Sequence, residues 1–235
     1  MRQVSRIGPA NEDNLRINAY NEEGEQIGPK DSCKLLGLYI ARNTKWDEHI
    51  KNNKESIMSK LRRRLGLLKF LCKAMQSPQR KILANGLILS IITNNIQLWG
   101  FGTKTLLKKV QVMQNKTAKW VLRLPNKSRT KKCYEVLGWM SVRQLLVYHS
   151  LMMLFKLIFG SQNYLWPRDC KLTESRTQGD GTFGRLQTNT TARRNSWYPR
   201  SIVWWNSLTP GLRTELRIGC FKTGLRKWIT DNIQF

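Results

Sequence analysis

Residues 57–134 read IMSKLRRRLGLLKFLCKAMQSPQRKILANGLILSIITNNIQLWGFGTKTLLKKVQVMQNKTAKWVLRLPNKSRTKKCY, and this stretch holds eighteen Lys and Arg but no Asp or Glu. Its apolar residues recur at helical spacing. Ile57, Leu61, Leu65, Leu68 and Cys72 form one stripe, and Leu106, Val110, Met113, Thr117, Trp120 and Leu124 form another. Between them, Ser77-Pro78 is an N-cap and N1 pair opening a helix, apolar nearly all round, that ends near Trp99-Gly100. The block predicts three successive helices, two of them with basic outer faces, and hence a mainly α fold built as a helical bundle. A helical surface that only needs solubility mixes both signs to gain i,i+4 pairs, so an acid-free run this long points to a face that meets phosphates.

Upstream the pattern changes. Nine of the fifteen acids lie in residues 1–55. Leu15 and Ile17 alternate with polar neighbours, Asn21 to Gly24 is a turn cluster, and Cys33 to Ile40 reads as a strand apolar on both faces. Residues 1–43 are therefore expected to form a small β-hairpin with an exposed edge, which a further sheet would complete. Asn43 or Thr44 is the N-cap candidate for the first helix, Asp47 and Glu48 suit its first turn, and the helix is expected from about Trp46 to Lys73. At 100° per residue Arg62, Lys69 and Lys73 share one flank, while Lys60 and Arg63 lie across the back. On the third helix, from about Thr103 to Leu124, Lys108, Lys109, Lys116 and Lys119 lie off the apolar seam or at its border.

Downstream, Asn126 to Lys132 is a basic loop, and a short helix is expected over Tyr134 to Trp139. Ser141 with Gln144 forms a capping box that opens a helix stopped at Gly160. Residues 44–160 thus make a basic helical bundle. Residues 161–197, rich in Gly, Thr, Asn and Arg, read as a mobile basic loop, and residues 198–235 as C-terminal helices packed through Trp204, Trp205, Leu208, Phe221, Leu225 and Trp228.

The formal charge of +26, from 41 Lys plus Arg against 15 Asp plus Glu, favours a polyanionic partner, while 40% apolar residues and nine Trp suffice for a core. Five dispersed cysteines without a C-x-x-C pair, and two histidines, match no zinc spacing, so no metal site and no cofactor are expected. No clustered Asp pair, nucleophilic triad or phosphate loop stands out, so no catalytic residue is assigned. Met1 is not followed by a signal sequence, and Asn85, Asn94, Asn95 and Gln97 interrupt the apolar run Ile82 to Trp99. The expectation is an intracellular protein, nuclear or cytoplasmic, without a membrane anchor. Trp166 and Trp197, beside Arg168 and Arg200, are the better base-stacking candidates among the tryptophans.

Several blocks carry a more specific likeness. Cys33-Lys34-Leu35-Leu36-Gly37-Leu38-Tyr39-Ile40 is followed by Trp46-Asp47-Glu48-His49-Ile50, then by Ile96-Gln97-Leu98-Trp99-Gly100 and by Gln114-Asn115-Lys116. Leu137 to Leu145, Tyr164-Leu165, Tyr198-Pro199-Arg200, Trp205-Asn206-Ser207-Leu208 and Phe221-Lys222 complete the series. In this order they resemble the region that follows the catalytic palm of non-LTR, LINE-type reverse transcriptases of Jockey-like elements. The chain departs from that pattern at Asn94-Asn95, where Tyr-Gly is usual, at Thr209, which separates Leu208 from Pro210, and at Thr44, a position often held by Leu.

The resemblance implies a role for each part. Leu36, Gly37 and Leu38 would match the primer grip, which holds the 3′ end of the growing strand. The helices from Trp46 to Leu124 would be a thumb lying along template and primer, with Lys60, Arg62, Arg63, Lys69, Lys73, Lys108, Lys109, Lys116 and Lys119 as phosphate contacts. The partners implied are RNA, DNA or their hybrid, together with the palm and fingers of the parent polymerase, whose paired aspartates would supply catalysis. On this reading the chain is a piece of an RNA-directed DNA polymerase without catalytic residues of its own. Two other readings of the residues are a basic helical module for an acidic protein or an anionic membrane, and a non-functional retroelement remnant.

Overall fold

A computed structural model describes residues 19–20, 26–27, 31–42, 45–160, 172–175, 179–184 and 190–233. The chain divides into two units, residues 1–44 and 45–235, the first built of short strands and the second mainly helical.

In the first unit, β1 (Ala19–Tyr20) pairs antiparallel with β2 (Gln26–Ile27), and β3 (Ser32–Leu35) with β4 (Leu38–Ala41). Leu15 and Ile17 lie outside the described residues. The single strand expected over Cys33 to Ile40 is itself a hairpin, with Leu35 opposite Leu38 and Ser32 opposite Ala41. Leu36 and Gly37 both have positive φ, 47° and 83°, as a two-residue type I′ turn requires to match the twist of its strands. Apolar residues run straight through this turn, so hydrophobic pattern alone did not mark it.

The second unit opens with a π-helical turn, Glu48–Asn52, followed by α1 (Ile57–Leu71), and the one helix expected from Trp46 to Lys73 is therefore two pieces. Asn53 is extended, its side-chain oxygen accepts from the Glu55 amide at 3.0 Å, and Ser56 caps α1 by accepting from the Ser59 amide at 3.3 Å. Short polar side chains of this kind offer the backbone an alternative to the helical bond, and two within four residues end one helix and start another.

The expected middle helix is also segmented, into α2 (Ser77–Ala84), a π-turn (Asn85–Leu89), α3 (Ser90–Thr93) and α4 (Ile96–Trp99). Gln76, not Ser77, stands at its cap, its amide bonded to Gln79 Oε1 at 3.0 Å. The segment is not buried all round: Ala84, Ile88, Ile92 and Ile96 are fully buried, whereas the equally apolar Ile82 and Leu87 are exposed. A stripe at four-residue spacing would drift about 40° per step around an α-helix, and the wider π-turn takes that drift back. Asn95, with φ 51°, breaks the helix, and the Trp99 indole donates to the Asn94 carbonyl at 2.9 Å.

α5 (Lys104–Val121), α6 (Thr130–Leu137) and α7 (Val142–Phe159) follow. The Ser141 and Gln144 capping box and the Gly160 stop are as expected, and α6 begins earlier than expected and ends at Gly138, φ 62°. Gln111 joins three helices: its Oε1 accepts from the Val142 amide and its Nε2 donates to the Tyr134 hydroxyl, each at 2.8 Å. The Tyr134 hydroxyl in turn donates to Asn115 Oδ1 at 2.9 Å, and the fully buried Gln114 donates to the Met140 carbonyl at 2.9 Å. α7 packs against α3, α4 and α5 and carries the buried Leu151, Leu154 and Phe155. By length and composition it could cross a membrane, yet these apolar residues are spent on the core.

The segment expected as a mobile loop contains an antiparallel pair, β5 (Leu172–Ser175) and β6 (Gly179–Phe183), and a helical turn, α8 (Thr191–Arg194). After it come α9 (Trp197–Asn206), α10 (Pro210–Arg213) and α11 (Ile218–Asn232). Asn206 completes the edge of β6: its Oδ1 accepts from the Phe183 amide and its Nδ2 donates to the Phe183 carbonyl, both at 2.9 Å. The Trp205 indole donates to the Gly181 carbonyl at 2.8 Å. These anchors lie more than twenty residues downstream, beyond the reach of local pattern. Trp205, Leu208, Phe221 and Leu225 are buried around α7 as expected, with Trp204 and Trp228 at the margin.

Candidate nucleic-acid interface

Two packed helices carry most of the expected phosphate contacts. α1 buries Ile57, Leu61, Leu65 and Leu68, and this fixes what must face water. Arg62 and Lys69 are exposed on the flank of α1 assigned to them, whereas Lys73, also exposed, lies past the helix end at Leu71, so helical phase does not place it there; its Nζ stands 5.6 Å from the centre of the exposed Phe70 ring. Lys60 is half-buried, and the exposed Arg63 donates to the Lys54 carbonyl at 3.3 Å, so part of its donor set already serves the turn before α1.

α5 packs on α1 and buries Leu106, Val110, Met113, Thr117 and Val121. Trp120 is only half-buried and Leu124 is exposed, because the helix stops at Val121 and the seam expected to reach Leu124 does not. Lys108, Lys109 and Lys116 are exposed, as a phosphate-facing role requires. Lys119 is half-buried with its ammonium on the Asn126 carbonyl, which ties down the loop that follows.

Three arginines of the acid-free block commit donors to backbone carbonyls, Arg80 from a buried position and Arg64 and Arg123 from exposed ones. Arg80 is buried and donates to three carbonyls: Nε to Met75 at 2.9 Å, Nη2 to Lys73 at 2.9 Å and Nη1 to Trp120 at 3.1 Å. Its guanidinium also lies 5.2 Å from the centre of the Trp120 ring. Arg123, held at φ 56°, donates to the Met75 carbonyl at 2.7 Å, and Arg64 to the Leu87 carbonyl at 3.0 Å. Of the three, Arg80 alone is withdrawn from solvent, while Arg64 and Arg123 bind backbone and remain exposed.

Further cations, read in the sequence only as a basic loop, lie in the loop and first helical turn that follow α5. Lys127, Arg129, Lys131 and Lys132 are all exposed there. The Arg123 bond to Met75 brings this loop to the Lys73 end of α1. α6 begins with no acidic residue in its first turn and no side-chain cap, where the helix dipole disfavours cations. The basic run itself was the available signal, because the helix was expected to begin only at Tyr134.

The matched residues of the other unit have a different setting. Leu36 is 88% exposed at the hairpin tip, Gly37 completes the turn, and Leu38 is buried at the start of β4. In the second unit His49 is buried edge-on to Trp46 and Trp99, at ring separations of 6.0 and 6.3 Å, and this burial, with Lys60 nearby, pushes its pKa down to about 4. Trp197 is half-buried with its indole N–H inside the protein, and Trp166 lies outside the described residues. Among the described residues, no three of His, Cys, Asp and Glu converge as a metal cluster. No protein-family model, curated protein or solved structure matches the chain.

Proposed function

We propose that the helical unit is a nucleic-acid-holding module that grips phosphodiester backbone through the outer faces of α1 and α5. The observation that carries this is one juxtaposition. Arg62 and Lys69 on α1, Lys73 just past its end, and Lys108, Lys109 and Lys116 on α5 stand exposed on or beside two packed helices, in a stretch with no carboxylate of its own. Confining so many like charges costs self-repulsion that a polyanion relieves, with release of its counterions.

Within that class, the particular reading is the thumb and following region of a LINE-type reverse transcriptase. Its support is the colinear likeness of the sequence blocks and a helical bundle that follows a short hairpin. The chain then binds and does no chemistry, its ligand is duplex or hybrid nucleic acid, and its protein partners are a palm and fingers that hold the catalytic carboxylates. Titration of labelled RNA–DNA hybrid at several salt concentrations tests the class: affinity should fall steeply as salt rises, and binding indifferent to salt overturns it. Addition of the chain to a separately produced palm and fingers of a Jockey-like element tests the particular reading. Rescue of primer extension supports it, and no rescue by a chain that binds hybrid overturns it.

A further inference from the structure

We propose that the exposed side of α1 opposite its phosphate flank is a docking face for an acidic amphipathic helix of a partner protein. Lys60, Arg64, Leu67 and Leu71 recur at four-, three- and four-residue spacing and so share one stripe, with Arg63 and Phe70 at its outer edge. Leu67 is 55% exposed, Phe70 70% and Leu71 63%. Single exposed leucines need no explanation, but three large apolar side chains within five residues of one helix do. Arg64, on the same stripe, donates to the carbonyl of Leu87, itself an exposed apolar residue.

The stripe is ordered along its length, and the order selects the occupant. Its first half is cationic, Lys60, Arg63 and Arg64, and its second half is apolar, Leu67, Phe70 and Leu71. A helix with carboxylates at one end and Leu-like residues at i, i+3 and i+4 in the other half meets both, and enters with its acidic end over Lys60. A membrane surface fits less well, since a helix lying in lipid needs its apolar strip along the whole length with cations on both sides. A second copy fits less well too, because a parallel pairing sets like charges face to face, an antiparallel one sets charges on leucines, and each chain carries +26. Nucleic-acid backbone uses the other flank and gains nothing from the leucines.

The test is fluorescence anisotropy with the full chain and two labelled synthetic helical peptides that share the same leucine face, one ending in Glu and the other in Lys. The Glu-ended peptide should bind. Leu67→Ser with Leu71→Ser should weaken it by about tenfold or more, leave affinity for RNA–DNA hybrid unchanged, and leave thermal unfolding unchanged because both side chains are exposed. No binding of the Glu-ended peptide overturns the proposal. So does equal binding of the Lys-ended peptide, or an affinity that ignores the double substitution. Self-association lost on that substitution assigns the face to a second copy, and phosphatidylserine vesicle binding lost on it assigns the face to membrane; either outcome overturns the protein-partner proposal.

Discussion

Arg62 and Arg80 belong to the same acid-free block, yet one stands in water on α1 and the other is buried with its guanidinium on three backbone carbonyls. The two are indistinguishable by charge and composition. What separates them is whether the chain leaves unpaired carbonyls within reach. The connection from α1 to α2 exposes those of Lys73 and Met75, and the planar fork of arginine can gather several at once. A basic block thus contains two populations: cations that assemble the fold, and cations the assembled fold presents to a ligand.

The comparison is most exposed to failure at Arg80. Arg80→Met keeps the bulk but strands carbonyls the guanidinium now satisfies, and should lower unfolding stability by about 3 kcal/mol, read by denaturant titration. Hybrid binding by the folded fraction should persist, and a variant that is stable yet binds poorly would merge the two populations. Reversal of Arg62, Lys69 and Lys73 to Glu should do the opposite. Hybrid affinity should drop on the order of a hundredfold and the salt slope shrink by about 3, with unfolding unchanged and with reversal of Lys222 and Lys227 on α11 as the control.

Arg123 sharpens the boundary, because its positive φ and its bond to Met75 act against each other. Arg123→Ala loses the bond and keeps the unfavourable backbone, for a cost of about 1 kcal/mol. Arg123→Gly relieves the backbone while losing the bond and should fall nearer to wild type; equal losses would mean that the left-handed conformation costs nothing here. The last expectation concerns a buried base that stays neutral. With its pKa held near 4 in the native state against an ordinary 6.5, His49 leaves the unfolded chain with more bound protons between those values. Stability from its burial is full above about pH 6.5 and is lost as pH falls toward 4, and His49→Gln should flatten that part of the unfolding-versus-pH curve.

Elements whose signals are local were legible in the sequence. The Ser141 and Gln144 box, the Gly160 stop, the α5 seam as far as Thr117 and the packing of Trp205 on Phe221 all follow from spacing and caps. The π-turns, the break at Asn53 to Ser56 and the β5–β6 pair were not, for two reasons. Asn and Ser side chains decide locally between helix and turn, and Asn206 and Trp205 hold β6 from more than twenty residues away. The candidate interface was legible as a set of lysines and arginines on two helices. Which of them is withdrawn from water was not, because Arg80 finds its carbonyls through tertiary contacts, one of them 40 residues away.

The π-turn at Asn85–Leu89 has a further meaning for lineage. It is a helix carrying one residue more than an α-helical turn holds, with the phase of its flanks preserved on both sides. A shorter chain lacking one residue there would close into plain α-helix and still deliver Ile92, Ile96 and Trp99 to α7. The same loss between Ser77 and Ala84 would swing Arg80 or its neighbours through about 100° and take the guanidinium off its carbonyls. Length variation among relatives should therefore collect at Asn85–Leu89 and avoid the turn before it.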